Sequence, residues 1–130
     1  MLEIFKALGD ESRIRILNLL LQGPLCVCEL EFVLQMSQTN VSRHLAKLKQ
    51  AKIVQSLKQG QWMNYQMAPS FLAQEAKLVE YLQEKVSQDA SFQKDLTALL
   101  KHQEEWGDCL TPSRKYLQEK LHSENGCSNE

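Results

Sequence analysis

The chain has 130 residues, 43% of them hydrophobic, and a formal net charge of −1, so it is long enough for one compact domain with a modest core. No apolar run approaches the ~18 residues that span a bilayer, and the opening MLEIFKALGDESR lacks the basic, apolar, small-residue order of a signal peptide. A soluble cytoplasmic protein with no membrane partner is expected, and in that reducing compartment Cys26, Cys28, Cys109 and Cys127 read as thiols, metal ligands or redox groups rather than a disulfide framework.

Leu2, Ile4, Phe5 and Leu8 stand at helical spacing in a first helix, which Gly9 stops. Asp10 caps a second, whose face of Ile14, Ile16, Leu17, Leu20 and Leu21 ends at Gly23-Pro24. A short third helix starts near Val27 or Cys28, with Leu30, Phe32, Val33 and Leu34 inward. Ser37 caps the next, Gln38 to Lys49, which carries Val41, Leu45 and Leu48 on one side and Gln38, Thr39, Asn40, Ser42, Arg43 and Lys47 on the other. Two short helices joined by a tight turn, the second half apolar and half amide, hydroxyl and guanidinium, form a helix-turn-helix.

The period then changes from helical to alternating. Ile53–Leu57 and Trp62–Met67 read as two strands around Lys58-Gln59-Gly60-Gln61, a hairpin that follows the recognition helix as a wing. Pro69 to Val86 reads as one long amphipathic helix with Phe71, Leu72, Leu78, Val79, Leu82 and Val86 on its seam, and Phe92 to Leu100 as another. That seam is wider than so small a core requires, which points to burial against a second protomer. The expected fold is mainly α with a small β-hairpin: a dimeric winged helix-turn-helix with terminal dimerisation helices. Residues 1–105 form its DNA-binding and dimerisation domain, and residues 106–130 a C-terminal extension with a short helix at Arg114 to Leu121 and an unstructured tail.

Charge is unevenly spread. Ser37 to Met67 holds Arg43, Lys47, Lys49, Lys52 and Lys58 with no acidic residue, whereas residues 68–130 hold eleven Asp and Glu against seven Lys and Arg. A locally basic block suits a polyanion even in a near-neutral chain. Arg43 can read guanine and Asn40 or Gln38 adenine, with Thr39 and Ser42 beside them, while Lys47, Lys49 and Lys52 suit phosphates and Lys58, Gln59 and Gln61 the minor groove or backbone. His44 belongs either against a phosphate or half-buried against the neighbouring helix.

"ALGDESRIRIL", "LCVCEL" and "SRHLAKL", in this order with a wing after them, resemble the ArsR family of winged-helix metalloregulatory repressors, and within it the arsenical-resistance type. The resemblance runs from about Leu2 to Met67. It implies a homodimer that binds double-stranded operator DNA and leaves it when a toxic metal or metalloid binds. Cys26 and Cys28 are then the sensor thiols, for arsenic(III) or antimony(III), with zinc or cadmium as alternatives and no organic cofactor. Members of that type continue C-V-C-D-L-C, whereas Glu31 stands here at the third cysteine's place. The third ligand is left open. Cys109, from the same protomer or its partner, is the preferred candidate, Cys127 or Glu31 are alternatives, and a two-thiol species such as a methylated arsenical needs none. Cys109 and Cys127 read equally well as incidental thiols.

On a regular helix residues two apart project roughly 200° apart, so Cys26 and Cys28 converge only if the first turn unwinds or Cys26 lies outside it. The family's other sensor site falls on Pro69, Phe71, Leu82 and Lys85, none of them a ligand, and His102 with Glu105 reads as a surface pair. Other readings of the thiols are buried small hydrophobes, or a repressor responding to oxidation or to no metal. The chain shows no phosphate-cradling glycine loop, no nucleophile-base pair in a plausible context and no Cys-x-x-Cys, so an enzyme is not expected.

Overall fold

A computed structural model describes residues 1–59 and 62–106. Its elements follow in the order α1 (Leu2–Leu8), α2 (Glu11–Leu20), β1 (Leu25–Cys26), α3 (Val27–Leu34), α4 (Gln38–Gln50), β2 (Val54–Gln59), β3 (Trp62–Met67), α5 (Pro69–Gln74), α6 (Ala76–Ser87) and α7 (Ala90–Trp106). The strands make one antiparallel sheet in the order β1-β3-β2. The arrangement is a winged helix-turn-helix, mostly helical as expected.

Local chemistry sets the helix starts. Asp10 turns its carboxylate onto the backbone N–H groups of Ser12 (2.8 Å) and Arg13 (3.3 Å), which would otherwise be orphans at the start of α2. Ser37 Oγ accepts from Asn40 N at 3.2 Å and starts α4 in the same way. Between α3 and α4 the chain turns at Gln35, whose φ of 56° puts a non-glycine residue in the left-handed region, and its side chain donates to Phe32 O at 2.6 Å.

The core lies where α2, α3 and α4 meet the sheet, and it contains Ile16, Leu19, Leu30, Val41, Leu45, Leu48 and Ile53, all fully buried. α7 crosses behind α2 and is fastened to it by polar groups. Arg15 donates through Nε to Asp95 Oδ2 at 2.8 Å and through Nη2 to Oδ1 at 2.9 Å, and Asn18 Nδ2 donates to Phe92 O at 3.1 Å.

Four expectations are corrected. Pro69 to Val86 is two helices, broken at Glu75 (φ −117°, ψ 39°) so that both Phe71 and Val79 reach the core. Leu72, placed on the inner seam, is exposed. The sheet gains a third strand, because Leu25 and Cys26 pair with Tyr65 and Asn64 of the wing. Phe32 points outward, 50% exposed, since Leu30, Val33 and Leu34 already fill the buried face of α3. The expected helix and tail at 114–130 lie outside the described residues.

The forked pair between Arg15 and Asp95 makes a direct test of how α7 is held. Asp95 has a side chain only 7% exposed, so removing it strands a guanidinium and loses two charge-assisted bonds. Asp95→Ala is expected to lower the unfolding free energy by about 2 kcal/mol in urea denaturation.

Candidate functional site

Two surfaces carry the chemistry. The first is built at the start of α3. Cys26 is the helix N-cap, with extended backbone at φ −93° and ψ 165°, and stands outside the helix as the last residue of β1. Its sulfur accepts from the backbone N–H of Glu29, and its own N–H donates to Glu29 Oε1 at 3.1 Å, a reciprocal capping box with a thiol where serine or threonine usually stands. Because Cys26 is outside the helix, the 200° divergence does not arise. The sulfurs of Cys26 and Cys28 lie against each other, 2.8 Å apart.

Cys26 is fully buried and Cys28 half-buried, so the pair opens to solvent on the Cys28 side. Val27 between them faces the core, as expected. One turn further along α3, Glu31 Oε2 is buried with no hydrogen-bond partner among the described residues, and this burial raises the carboxyl above its ordinary 4.5. Phe32 stacks on His102 of α7 with ring centroids 4.5 Å apart. His102 therefore sits against α3 rather than only beside Glu105 on the surface. Among the described residues no group of three His, Cys, Asp or Glu side chains is placed to hold a metal ion. Cys109 and Cys127 lie outside those residues.

The second surface is the outer face of α4. Gln38, Thr39, Ser42, Arg43 and Lys47 are exposed and Asn40 is half-exposed, while Val41, Leu45 and Leu48 are buried beneath them. Arg43 Nη2 donates to Asn40 Oδ1 at 2.9 Å, which orders the two side chains with the best capacity for reading bases. Lys49 Nζ donates to Ser56 Oγ at 3.0 Å, tying α4 to β2. Lys58 is exposed on the wing; Gln59 lies at the end of β2, and Gln61 falls outside the described residues.

His44 is not on that face. It is 9% exposed, on the inner side of α4, with Nδ1 at 3.4 Å from Arg13 Nη1. Burial pushes its imidazole below the ordinary 6.5, with Asp10 pulling the other way and Arg13 and Arg43 adding to the fall. The Arg13 link was not visible in the sequence; the only signal was the half-buried alternative for a histidine beside an apolar stripe.

Residues 10–56, which include both surfaces up to the first strand of the wing, match the model of the "Bacterial regulatory protein, arsR family". The chain is 41% identical over 80 residues to the arsenical resistance operon repressor of Escherichia coli (strain K12), covering 61% of this chain and 68% of that one. The chain belongs to the ArsR family. It is also 45% identical over 67 residues to the arsenic resistance transcriptional regulator ArsR1 of Pseudomonas putida, covering 51% of this chain and about half (52%) of that regulator. A homodimeric winged helix-turn-helix DNA-binding domain of Mycobacterium bovis, Mb0332, superimposes with a TM-score of 0.56 at 29% identity over 64% of this chain and 77% of that one. This ArsR-family chain is accordingly a transcriptional repressor with a DNA-binding fold, and its homologues are regulators, not enzymes. No helix among the described residues is long and apolar enough to cross a membrane.

Glu31 gives a sign that can be checked. A folded carboxyl with a raised pKa binds its proton more tightly than the unfolded one, so stability falls as pH rises above the unfolded value of 4.5. Glu31→Gln is expected to raise the melting temperature at pH 7.5 and to leave it nearly unchanged at pH 4, as followed by circular dichroism.

Proposed function

We propose that this repressor binds its operator as a homodimer through α4 and the wing, and releases it when Cys26 and Cys28 take arsenic(III) or antimony(III). The observation that carries the reading is the convergence of the two sulfurs, 2.8 Å apart at a helix N-cap. Soft thiolates suit soft trivalent metalloids. The names of the E. coli and P. putida relatives, both arsenic-resistance regulators, support the same inducer.

The N-cap supplies a mechanism. Cys26 and Cys28 would hold the soft ion through their sulfurs, and two sulfurs each bonded to one shared ion would stand farther apart than the present 2.8 Å, so a shared ligand would open the sulfur pair. Opening draws Cys26 off the Glu29 N–H and loosens the first turn of α3, the helix that packs on α4. A coupling of ~1–3 kcal/mol, usual between two sites, changes operator affinity about 5–150-fold.

Cys109 is the third ligand in this reading. Phe32–His102 stacking brings α7 against α3 one turn from Cys28. Cys109 lies three residues beyond Trp106, the last residue of α7, a further reach of at most ~11 Å. A homodimer is supported by the dimeric Mb0332 domain and by the exposure of Leu2 (64%), Phe5 (53%) and Leu100 (62%) on the terminal helices. A second reading takes zinc or cadmium with Glu31 as the hard ligand, favoured by the buried, unsatisfied Oε2.

Fluorescence anisotropy on the DNA upstream of the protein's own coding sequence tests these readings, with arsenite, antimonite, zinc and cadmium titrated in turn. Arsenite is expected to release wild type and to leave the Cys26→Ser/Cys28→Ser double variant bound. Serine is a good N-cap, so the variant keeps the start of α3. Release by arsenite from the double variant would refute the thiol site, and release by zinc or cadmium alone would select the second reading. Arg43→Ala is expected to weaken operator binding by roughly 1–3 kcal/mol while leaving non-specific DNA affinity much less affected.

A further inference from the structure

The corner between α1 and α2 grips the recognition helix from its inner side. Arg13 turns back over this corner: its Nε donates to Ala7 O at 2.6 Å and its Nη2 to Lys6 O at 3.3 Å. The remaining arm, Nη1, faces His44 Nδ1 at 3.4 Å. A guanidinium can only donate, so Nδ1 is the acceptor and the ring hydrogen sits on Nε2. One side chain thus joins the end of α1, the first turn of α2 and the middle of α4, directly behind Arg43.

We infer that Arg13 and His44 form a latch that positions the recognition helix, and that operator affinity is lost when His44 takes up a proton. The inference rests on the DNA-binding reading above. Protonation at Nδ1 removes the acceptor and sets an imidazolium against the guanidinium, which repel each other. The charged groups facing the ring are Arg13 and Asp10 from the start of α2 and Arg43 from α4 itself. Two of the three are cations, and with burial they outweigh Asp10 and keep the ring neutral at pH 7. A folded histidine that resists protonation binds fewer protons than the unfolded one, so the latched state is fully favoured above pH 6.5 and loses ground as pH falls below it.

Two variants separate the latch from simple packing. His44→Asn puts an amide oxygen near the place of Nδ1 and cannot ionise in this range. Arg13→Met removes the opposing cation and leaves Asp10 to stabilise a protonated ring. On reduced full-length protein, operator affinity of wild type is expected to fall severalfold more than that of His44→Asn between pH 7.5 and 5.5. Arg13→Met, which lacks the latch altogether, is expected to bind the operator weakly at both pH values and to move the titration midpoint of the ring itself to higher pH. Imidazole nitrogen shifts, read without DNA and assigned by difference from His44→Asn, should show Nδ1 bare and Nε2 protonated at pH 7.5, with a midpoint below 6.5.

Equal pH dependence in wild type and His44→Asn would overturn the proposal, as would a proton on Nδ1 at pH 7.5 or an unmoved midpoint in Arg13→Met. If wild type binds the DNA at no pH, the operator reading itself fails and the switch with it, while the ring shifts still report whether the latch exists.

Discussion

Burial of Val41, Leu45 and Leu48 along the inner face of α4 holds the rest of the molecule in register, because none of the three exposes any surface. Each fully buried aliphatic side chain contributes roughly 1.5–3 kcal/mol, so the stripe supplies an amount comparable with the ~5–15 kcal/mol that separates folded from unfolded domains. The recognition helix therefore cannot turn independently on the core. It can shift only together with α2 and α3, the helices beneath it, and so a displacement of α3 is passed on to α4.

α7 links the same parts from behind. Its first half is bolted to α2 through Arg15, Asp95, Asn18 and the Phe92 carbonyl, and its later part rests on α3 through the Phe32–His102 stack. The two attachments differ in kind. The first is a forked ion pair with fixed geometry, the second a ring stack whose phenyl is half exposed to solvent. Of the two attachments only the second touches α3, at Phe32, one turn beyond Cys28.

Where the chain repeats a period over several turns, the sequence is legible. The stripe of α4, the Gly9-Asp10 punctuation and the alternating wing strands all announce themselves through spacing or a capping residue. The misses have physical causes. The break at Glu75 carries neither proline nor glycine; it exists because two helix directions bury Phe71 and Val79 better than one, a tertiary preference that overrides an unbroken local pattern. A strand of two residues, Leu25–Cys26, is too short to show alternation and is defined only by its partner. Phe32 looked inward because apolar residues crowd α3, but a helix has one buried stripe and the others had filled it. At the candidate site, the thiols and the reading face were visible as residue types. The Arg13–His44 contact spans 31 positions and leaves no trace in any local window.

The pairing of Cys26 with Asn64 has a further consequence. β1 is an edge strand two residues long, and β3 is the centre of the sheet. A two-stranded hairpin is at best marginally stable alone, whereas a third strand on a packed face gives it support. The wing thus borrows part of its order from the backbone of a thiol-bearing residue. Peel those two residues away and what remains is a two-stranded ribbon: the sheet is at its most rigid only while its smallest member stays in place.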